Sequence, residues 1–216
     1  RMGWSMPDEH EKFTLAEMIE HFDMKRVSLG GPIFDIDKLS WLNGMWIREN
    51  LSDAELMQRF VDWKFNSELF AKVLPEAKTR INTLSDMVDL AGHFVGGIPS
   101  YDPALLTAGK ADEDVIRQAL QFFIWQLEGL RSWGKPAIFA IAKEVATFHE
   151  LKIKDFLEPI FVAITGKTSS TSVLDAMEIL GSDLSRARLR VALAHLGVSK
   201  KQAKKIERAY RDYPQA

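Results

Sequence analysis

The chain has 216 residues, of which 46% are hydrophobic and 27% charged, and it contains no cysteine. This composition is typical of a globular protein, and the length suits one large domain or two to three small ones. The absence of cysteine excludes disulfides and thiol chemistry, and no apolar run is long enough for a transmembrane helix. Since the N-terminus also lacks a signal-peptide pattern, the sequence predicts a cytoplasmic protein.

Three helices are predicted in the first third of the chain. Thr14 and Glu17 form a capping box that begins the first helix. Asp35 is a candidate N-cap for the second helix, which is amphipathic and carries two tryptophans, and Ser52 begins the third. A Gly-Gly-Pro sequence between the first two helices indicates a break. We therefore expect three short amphipathic helices joined by turns.

The next stretch is predicted to contain shorter helices with a firm break behind them. A helix beginning near Asn66 should stop at Pro75, because proline removes a hydrogen bond from a helix interior. Thr83 is the candidate cap of a following helix, which the Gly-Gly-Ile-Pro sequence at residues 96–99 ends. Residues 101–111 contain Asp-Pro and a glycine, so we expect a linker loop with at most one turn of helix.

The C-terminal half is predicted to be built around one central helix. This helix covers residues 112–131 and includes a segment, residues 122–125, in which every face is apolar, so it should be covered on several sides. Residues 153–165 leave a short strand and a buried helix open as alternatives. The other predicted helices cover residues 136–150, 173–180, 183–196 and 199–210. Because the dominant apolar period is 3.6 residues, we predict an all-α fold with at most a few strand residues.

Charge is unevenly distributed along the chain. The net charge is −2, but residues 181–216 carry nine Lys and Arg against three Asp and Glu, which gives +6 there and −8 before it. In the final predicted helix, Lys200, Lys204 and Arg208 form a stripe beside other cations, and such charges repel one another unless an anion offsets them. The pattern favours a polyanion such as RNA as partner. A solvated lysine-rich helix is the alternative.

The sequence shows no pattern for catalysis or metal binding. Its five histidines are scattered without a second ligand at metal-binding spacing, so we predict neither a metal site nor a catalytic site. Residues 166–168, Gly-Lys-Thr, have the ending of a nucleotide-binding P-loop, which also needs a glycine where this chain has Phe161. We therefore expect no ATP site, and interpret Lys167 as a cation on a hydroxyl-rich loop suited to phosphates or base edges.

Two segments resemble the bacterial glutamyl-tRNA synthetase family. The first is Phe-Asp-x-x-Lys-Leu-x-Trp-Leu-Asn-x-x-x-Ile-Arg at residues 34–48, and the second is Ile-Phe-Val-Ala-Ile-Thr-Gly-Lys at residues 160–167. The resemblance implies the tRNA-binding part of an enzyme that attaches glutamate to tRNA(Glu) with ATP and Mg²⁺. The family's HIGH and KMSKS signatures are absent, so this chain should be inactive alone and hold no cofactor. The activity and the cofactors would belong to a catalytic domain elsewhere.

The resemblance also implies an organisation. An elongated array of small helical subdomains would consist of a stem-contact and connecting region at residues 1–64, a first anticodon-binding subdomain at 65–111 and a second at 112–216. The partner would be tRNA(Glu), with tRNA(Gln) left open, and the chain a monomer. Residues 1–4 have the pattern of a helix tail already under way, which predicts an excerpt of a longer protein. A freestanding helical protein-interaction module is the alternative function.

Candidate RNA contacts follow from the resemblance residue by residue. Arg80 matches an arginine that reads the third anticodon base, for which a guanidinium fork is suited, and an arginine that holds a helix end is the alternative. Phe161 replaces a family arginine and could stack on a base instead. The candidate anticodon residues are Arg80, Phe161, Lys167, Thr168, Ser170, Thr171 and Ser172. The candidate contacts to the tRNA backbone are Lys38, Arg48, Arg186, Arg190, Lys200, Lys204 and Arg208.

Overall fold

The structure is a computed structural model that describes residues 3–28, 30–31, 35–65, 67–168 and 172–214. Every regular element in these ranges is a helix. Within these ranges there is no strand, which confirms the predicted all-α class. The α-helices are α1 Leu15–His21, α2 Ile36–Asn50, α3 Asp53–Lys64, α4 Ser67–Lys78, α5 Asp86–Val95, α6 Glu113–Gly129, α7 Lys135–Phe148, α8 Ile153–Thr165, α9 Val173–Leu196 and α10 Lys200–Arg211. Two 3-10 helices cover Met24–Arg26 and Pro103–Thr107. None of the described helices is long and apolar enough to cross a membrane.

The chain divides into two compact units, residues 1–63 and 64–216. The finer division of the second unit at residue 111 remains a prediction. The segment before it forms one short 3-10 helix, as expected, and its Leu106 is buried in the core of the second unit. The predicted linker is therefore packed against that unit through at least this side chain.

The three helix starts predicted in the first unit are confirmed. Thr14 and Glu17 exchange the two hydrogen bonds of a capping box, at 3.2 and 2.7 Å. Asp35 accepts a hydrogen bond from a backbone N–H in the first turn of α2 at 2.9 Å. Ser52 and Glu55 form a second reciprocal box ahead of α3, at 2.9 and 3.3 Å. Capping is local in sequence, which is why the pattern predicts it.

The predicted stop at Pro75 is wrong. Helix α4 continues through this proline to Lys78. Val73 and Ala77, on either side of it, are both buried in the core. The burial of these side chains outweighs the one hydrogen bond that the proline removes, so α4 is a single helix across it.

The start of α5 also differs from the prediction, which placed its cap at Thr83. The helix begins at Asp86. Thr83 is the donor to Asp86 and not, as predicted, the cap that accepts from the helix. The Asp86 carboxylate accepts from the backbone N–H groups of Asn82 and Thr83 at 2.7 and 2.9 Å, and from the Thr83 hydroxyl at 2.8 Å. These hydrogen bonds lower the pKa of Asp86 below its usual value, and the one from the Thr83 backbone N–H has the largest effect.

Helix α6 lies at the centre of the second unit. Its Phe122 and Phe123 are fully buried, as predicted from the segment that is apolar on every face. Residues 153–165, for which a strand was also open, form helix α8, which buries Ile160 and Ile164 one turn apart. Helix α9 is interrupted at Gly181, where φ is 79°, at the junction predicted between two helices.

Candidate nucleic-acid interface

A buried arginine holds the C-terminus of α8 against that of α5, and sequence reasoning assigned it to no site. Arg188, on α9, is 1% exposed. Its Nε donates to the carbonyl oxygen of Gly97 at 2.9 Å. One terminal nitrogen donates to the carbonyls of His93 and Gly96 at 2.6 and 2.9 Å, and the other donates to the carbonyl of Ile164. These oxygens lie in or just beyond the last turns of the two helices, where carbonyls lack intrahelical partners.

Helix ends rather than carboxylates stabilise the charge of Arg188. In the part of the chain that the structure describes, no ion pair joins it to an acid, whereas the C-termini of α5 and α8 carry partial negative charge. Burial lowers the pKa of Arg188 to about 10, so the guanidinium stays charged at neutral pH. The signal in the sequence was its place on the same helix face as Leu189 and Ala192, both buried.

His93 lies at the same junction and is buried. Neither of its ring nitrogens has a hydrogen-bond partner among the described residues. Burial in the first place, and then the charges of Arg188 and Lys167, lower the pKa of His93 to about 4. The ring is therefore neutral at neutral pH. Across the described ranges, no cluster of His, Asp and Glu is placed to hold a metal ion.

Lys167 provides a second link between α8 and α5. Helix α8 ends at Gly166, whose φ of 73° is left-handed and whose N–H donates to the Val162 carbonyl at 2.8 Å. The chain then turns so that Lys167 Nζ donates to the backbone carbonyl of Asp89 on α5. The side chain is half-buried. Because an ammonium has three N–H groups, Lys167 can hold α5 and still offer donors to an anion or a base edge.

A cavity of about 700 Å³ adjoins the end of α8. Three of the predicted anticodon residues, Phe161, Thr168 and Ser172, line it. Ser172 is also the N-cap of α9, because its hydroxyl accepts from the Asp175 N–H at 3.5 Å. The structure therefore brings these three residues together, although part of the role of Ser172 is to begin a helix.

Arg80, another predicted anticodon residue, lies away from the cavity. Arg80 is exposed in the turn after α4, where its backbone N–H donates to the Ala77 carbonyl at 2.9 Å, and it is not part of the cavity lining. Ser170 and Thr171 fall outside the described residues. Among the described members of the predicted set, Phe161, Thr168 and Ser172 thus line the cavity, whereas Lys167 and Arg80 do not.

In the first unit, both residues predicted to contact the tRNA backbone, Lys38 and Arg48, have side chains that contact other groups of the protein. Lys38 Nζ forms an ion pair with Glu11. The Arg48 guanidinium lies over Gly44, since a Cβ added there would come within 3.0 Å of one of its terminal nitrogens. The Lys38–Glu11 pair joins α2 to the segment before α1, and RNA would have to compete with it.

In the second unit, two more of the predicted cations are paired. Arg186 donates to Asp183 at 2.8 Å, one turn earlier on α9. Arg190 donates to Glu128, at the end of α6, at 2.7 Å. Exposed ion pairs of this kind contribute about 1 kcal/mol or less, so they do not prevent a phosphate contact but they reduce its net gain.

Helix α10 presents the remaining predicted cations. Lys200, Lys204 and Arg208 are exposed, and no ion pair in the described ranges involves them. The helix is anchored by Ile206 and by Tyr213 just after it, both buried in the core of the second unit. This anchoring fixes which face is inward, so α10 offers a row of cations to solvent.

Comparison with known proteins identifies a family. The profile of the family described as "Anticodon binding domain" matches residues 54–193. The chain is 90% identical over 216 residues to the glutamate–tRNA ligase of Pseudoalteromonas translucida (strain TAC 125), covering all of this chain and 44% of the ligase. It is 54% identical over 213 residues to the glutamate–tRNA ligase of Marinomonas sp. (strain MWYL1), covering 98% of this chain and 43% of that protein. The chain therefore spans less than half the length of these curated relatives, and corresponds to their C-terminal portion.

A solved structure shows the same fold at low sequence identity. A glutamate tRNA ligase from Elizabethkingia meningosepticum CCUG26117 superposes with a TM-score of 0.53 and 21% identity, covering 89% of this chain and 39% of that one. A glutamate-tRNA synthetase from Elizabethkingia anophelis gives a TM-score of 0.51 at 20% identity, over 89% of this chain and 38% of that one. At this identity the likeness concerns the arrangement of helices alone.

Proposed function

Because this chain belongs to the anticodon-binding domain family, we propose that it binds tRNA by its anticodon, as the C-terminal, tRNA-selecting portion of a glutamate–tRNA ligase. The observation that carries the proposal is the 90% identity to such a ligase over the whole of this chain. The partner is tRNA(Glu), with tRNA(Gln) as the alternative, and the site of action is the cytoplasm. The chain acts as a monomeric part of the ligase.

Amino-acid activation belongs to the part of the ligase that lies outside this chain. The relatives are more than twice as long as the matched region, so ATP and Mg²⁺ are assigned to the rest of the enzyme. The contribution of this chain is to position and select the tRNA. We expect no glutamate activation by this chain alone.

Two kinds of RNA contact are proposed within the second unit. Bases of the anticodon lie against Phe161, Lys167 and Thr168 at and just after the end of α8, against Ser172 at the start of α9, and against Arg80. Anticodon bases are single-stranded, so they can be stacked on and read at their edges. The exposed cations of α10 neutralise phosphates, which gives affinity without sequence preference. Lys38 and Arg48 are proposed as secondary contacts to the backbone or between domains.

Salt dependence of tRNA(Glu) binding tests the proposal. Each neutralised phosphate contributes about 0.7 to 0.9 to the slope of log affinity against log salt concentration, so three α10 contacts predict a slope of about −2 or steeper. Fluorescence anisotropy with labelled tRNA across a salt series measures it. No binding at the lowest salt concentration, where phosphate contacts are strongest, contradicts the proposal.

One observation favours a second candidate, a helical protein-interaction module. In the first unit, Leu15, Ile19 and Met24 are 71%, 70% and 74% exposed, and such apolar surface is typical of protein contacts. The two candidates differ in the partner that they predict. If the chain is a protein-interaction module, it shows no binding of tRNA at low salt.

A further inference from the structure

Helix α10, whose cations are proposed to neutralise phosphates, begins beside the N-terminus of α6. Its Gln202 donates from Nε2 to Asp114 Oδ1 on α6 at 3.1 Å. The same side chain takes part in the capping box of α10, since Gln202 Oε1 accepts from the Ser199 N–H at 3.0 Å. One amide group therefore both caps α10 and joins its first turn to α6.

Asp114 also binds a buried arginine that holds the end of α9. Arg117 is 6% exposed, and its guanidinium forms ion pairs with Asp114 and with Glu113. Its Nε and one terminal nitrogen donate to the Leu196 carbonyl, at 3.3 and 3.0 Å. Leu196 is the last residue of α9, where carbonyls lack intrahelical partners. Side chains of α6 therefore hold the chain on both sides of the turn at residues 197–199.

A second polar contact with α6 lies near the other end of α10. Gln126 Nε2 donates to Tyr210 Oη at 2.8 Å. Gln202, Ile206 and Tyr210 follow one another at intervals of four residues, so they share the face of α10 that lies against the second unit. The exposed cations have the same spacing two positions earlier, which at about 100° per residue places them on nearly the opposite face: Lys200, Lys204 and Arg208. Contacts with α6 thus determine which way these cations point.

We propose that Asp114 and Arg117 are positioning residues, which fix the start of α10 so that Lys200 reaches a phosphate of the bound tRNA. The inference rests on the proposed function, since it needs an RNA backbone beside α10. Asp114 acts through Gln202, and Arg117 acts through Asp114 and the end of α9. As an acid, Asp114 would by its charge alone repel a polyanion. Removal of this carboxylate therefore distinguishes position from charge, because the two effects have opposite signs.

Asp114→Ala tests the proposal through tRNA(Glu) binding by the full chain across a salt series. The variant loses the acceptor for Gln202 together with one negative charge. We expect the slope of log affinity against log salt concentration to become shallower by about 0.7 to 0.9, the contribution of one phosphate. At 0.1 M salt this corresponds to a loss of affinity of about 5- to 8-fold, whereas the charge effect alone would strengthen binding. The Asp114 side chain is 68% exposed, so the fold is retained.

Asp114→Asn is the matched variant, because it removes the same charge but keeps an oxygen that accepts from Gln202. It should keep the salt slope of the unchanged chain. Arg117→Lys keeps the charge but has one ammonium in place of the fork that holds Leu196 and two carboxylates, so it should show part of the loss seen in Asp114→Ala. Should Arg117→Lys fail to fold, the two Asp114 variants decide the question.

The same Asp114→Ala change is also made in a chain that carries Lys200→Ala. With its cation already removed, the change at Asp114 should have no further effect on the salt slope. An unaltered slope in Asp114→Ala, an equal loss with and without Lys200, or the same loss in Asp114→Asn overturns the inference while the proposed function stands. If the unchanged chain binds no tRNA(Glu) at low salt, the proposed function itself fails, and the inference with it.

Discussion

Arg188 and Lys167 both bind backbone carbonyls of α5, but they differ in their exposure. Arg188 is buried, and its donors are directed at backbone carbonyls of α5, α8 and the turn after α5. Lys167 contacts α5 as well, through the Asp89 carbonyl, but its side chain is half-exposed beside the loop proposed to meet the anticodon. Arg188 is therefore a positioning residue, and Lys167 is the one of the two that we propose contacts RNA.

Replacing Arg188 by methionine should strongly destabilise the second unit. The substitution keeps most of the apolar stem but leaves four carbonyls without their donor, and the hydrogen bonds to two of them, those of His93 and Ile164, are buried. Hydrogen bonds to a charged group contribute about 1.5–3 kcal/mol each, so we expect the free energy of unfolding to fall by at least about 3 kcal/mol. Unfolding in urea, followed by circular dichroism, measures the change.

Arg188→Lys is the matched comparison, because it keeps the charge but has a single ammonium in place of the fork. It should recover only part of the loss. If methionine costs less than about 1 kcal/mol, Arg188 does not hold the junction in the way described.

Among the helices, α10 is one whose position could be predicted from local sequence. The helix predicted at residues 199–210 is present as Lys200–Arg211, and a capping box of Ser199 and Gln202 begins it. The continuation of α4 through Pro75 and the burial of Arg188 depend on contacts with residues distant in the sequence. Periodicity carries no information on those contacts, so the first was predicted wrongly and the second was missed.

The cations of α10 make a prediction of their own. Changing Lys200, Lys204 and Arg208 together to alanine should weaken all tRNAs alike and make the salt slope shallower by about 2 to 3, because each lost phosphate contact removes about 0.7 to 0.9. The control exchanges each lysine for arginine and the arginine for lysine, which keeps the charge and should keep the slope. If the alanine variant keeps the salt slope of the unchanged chain, α10 is not part of the RNA-binding surface.

At the scale of the whole molecule, the two units differ in how much apolar surface they bury. Among the described residues of the first unit, Met6 is the one buried apolar side chain, whereas the second unit has a continuous core around α6. The fold class and most helices of both units followed from periodicity and caps. The cavity beside α8 could not be predicted, because its lining comes from segments as distant in sequence as Gly109 and Ser172.

The central claim, that this chain selects tRNA by its anticodon, is tested most directly with two tRNAs that differ in one base. The affinity of the unchanged chain and of Arg80→Ala is measured for tRNA(Glu) and for the same tRNA with its third anticodon base replaced. We expect the unchanged chain to prefer tRNA(Glu) by about 10-fold, and Arg80→Ala to lose about 1–3 kcal/mol on tRNA(Glu) and with it most of that preference. Equal affinity of the unchanged chain for both tRNAs would contradict the account.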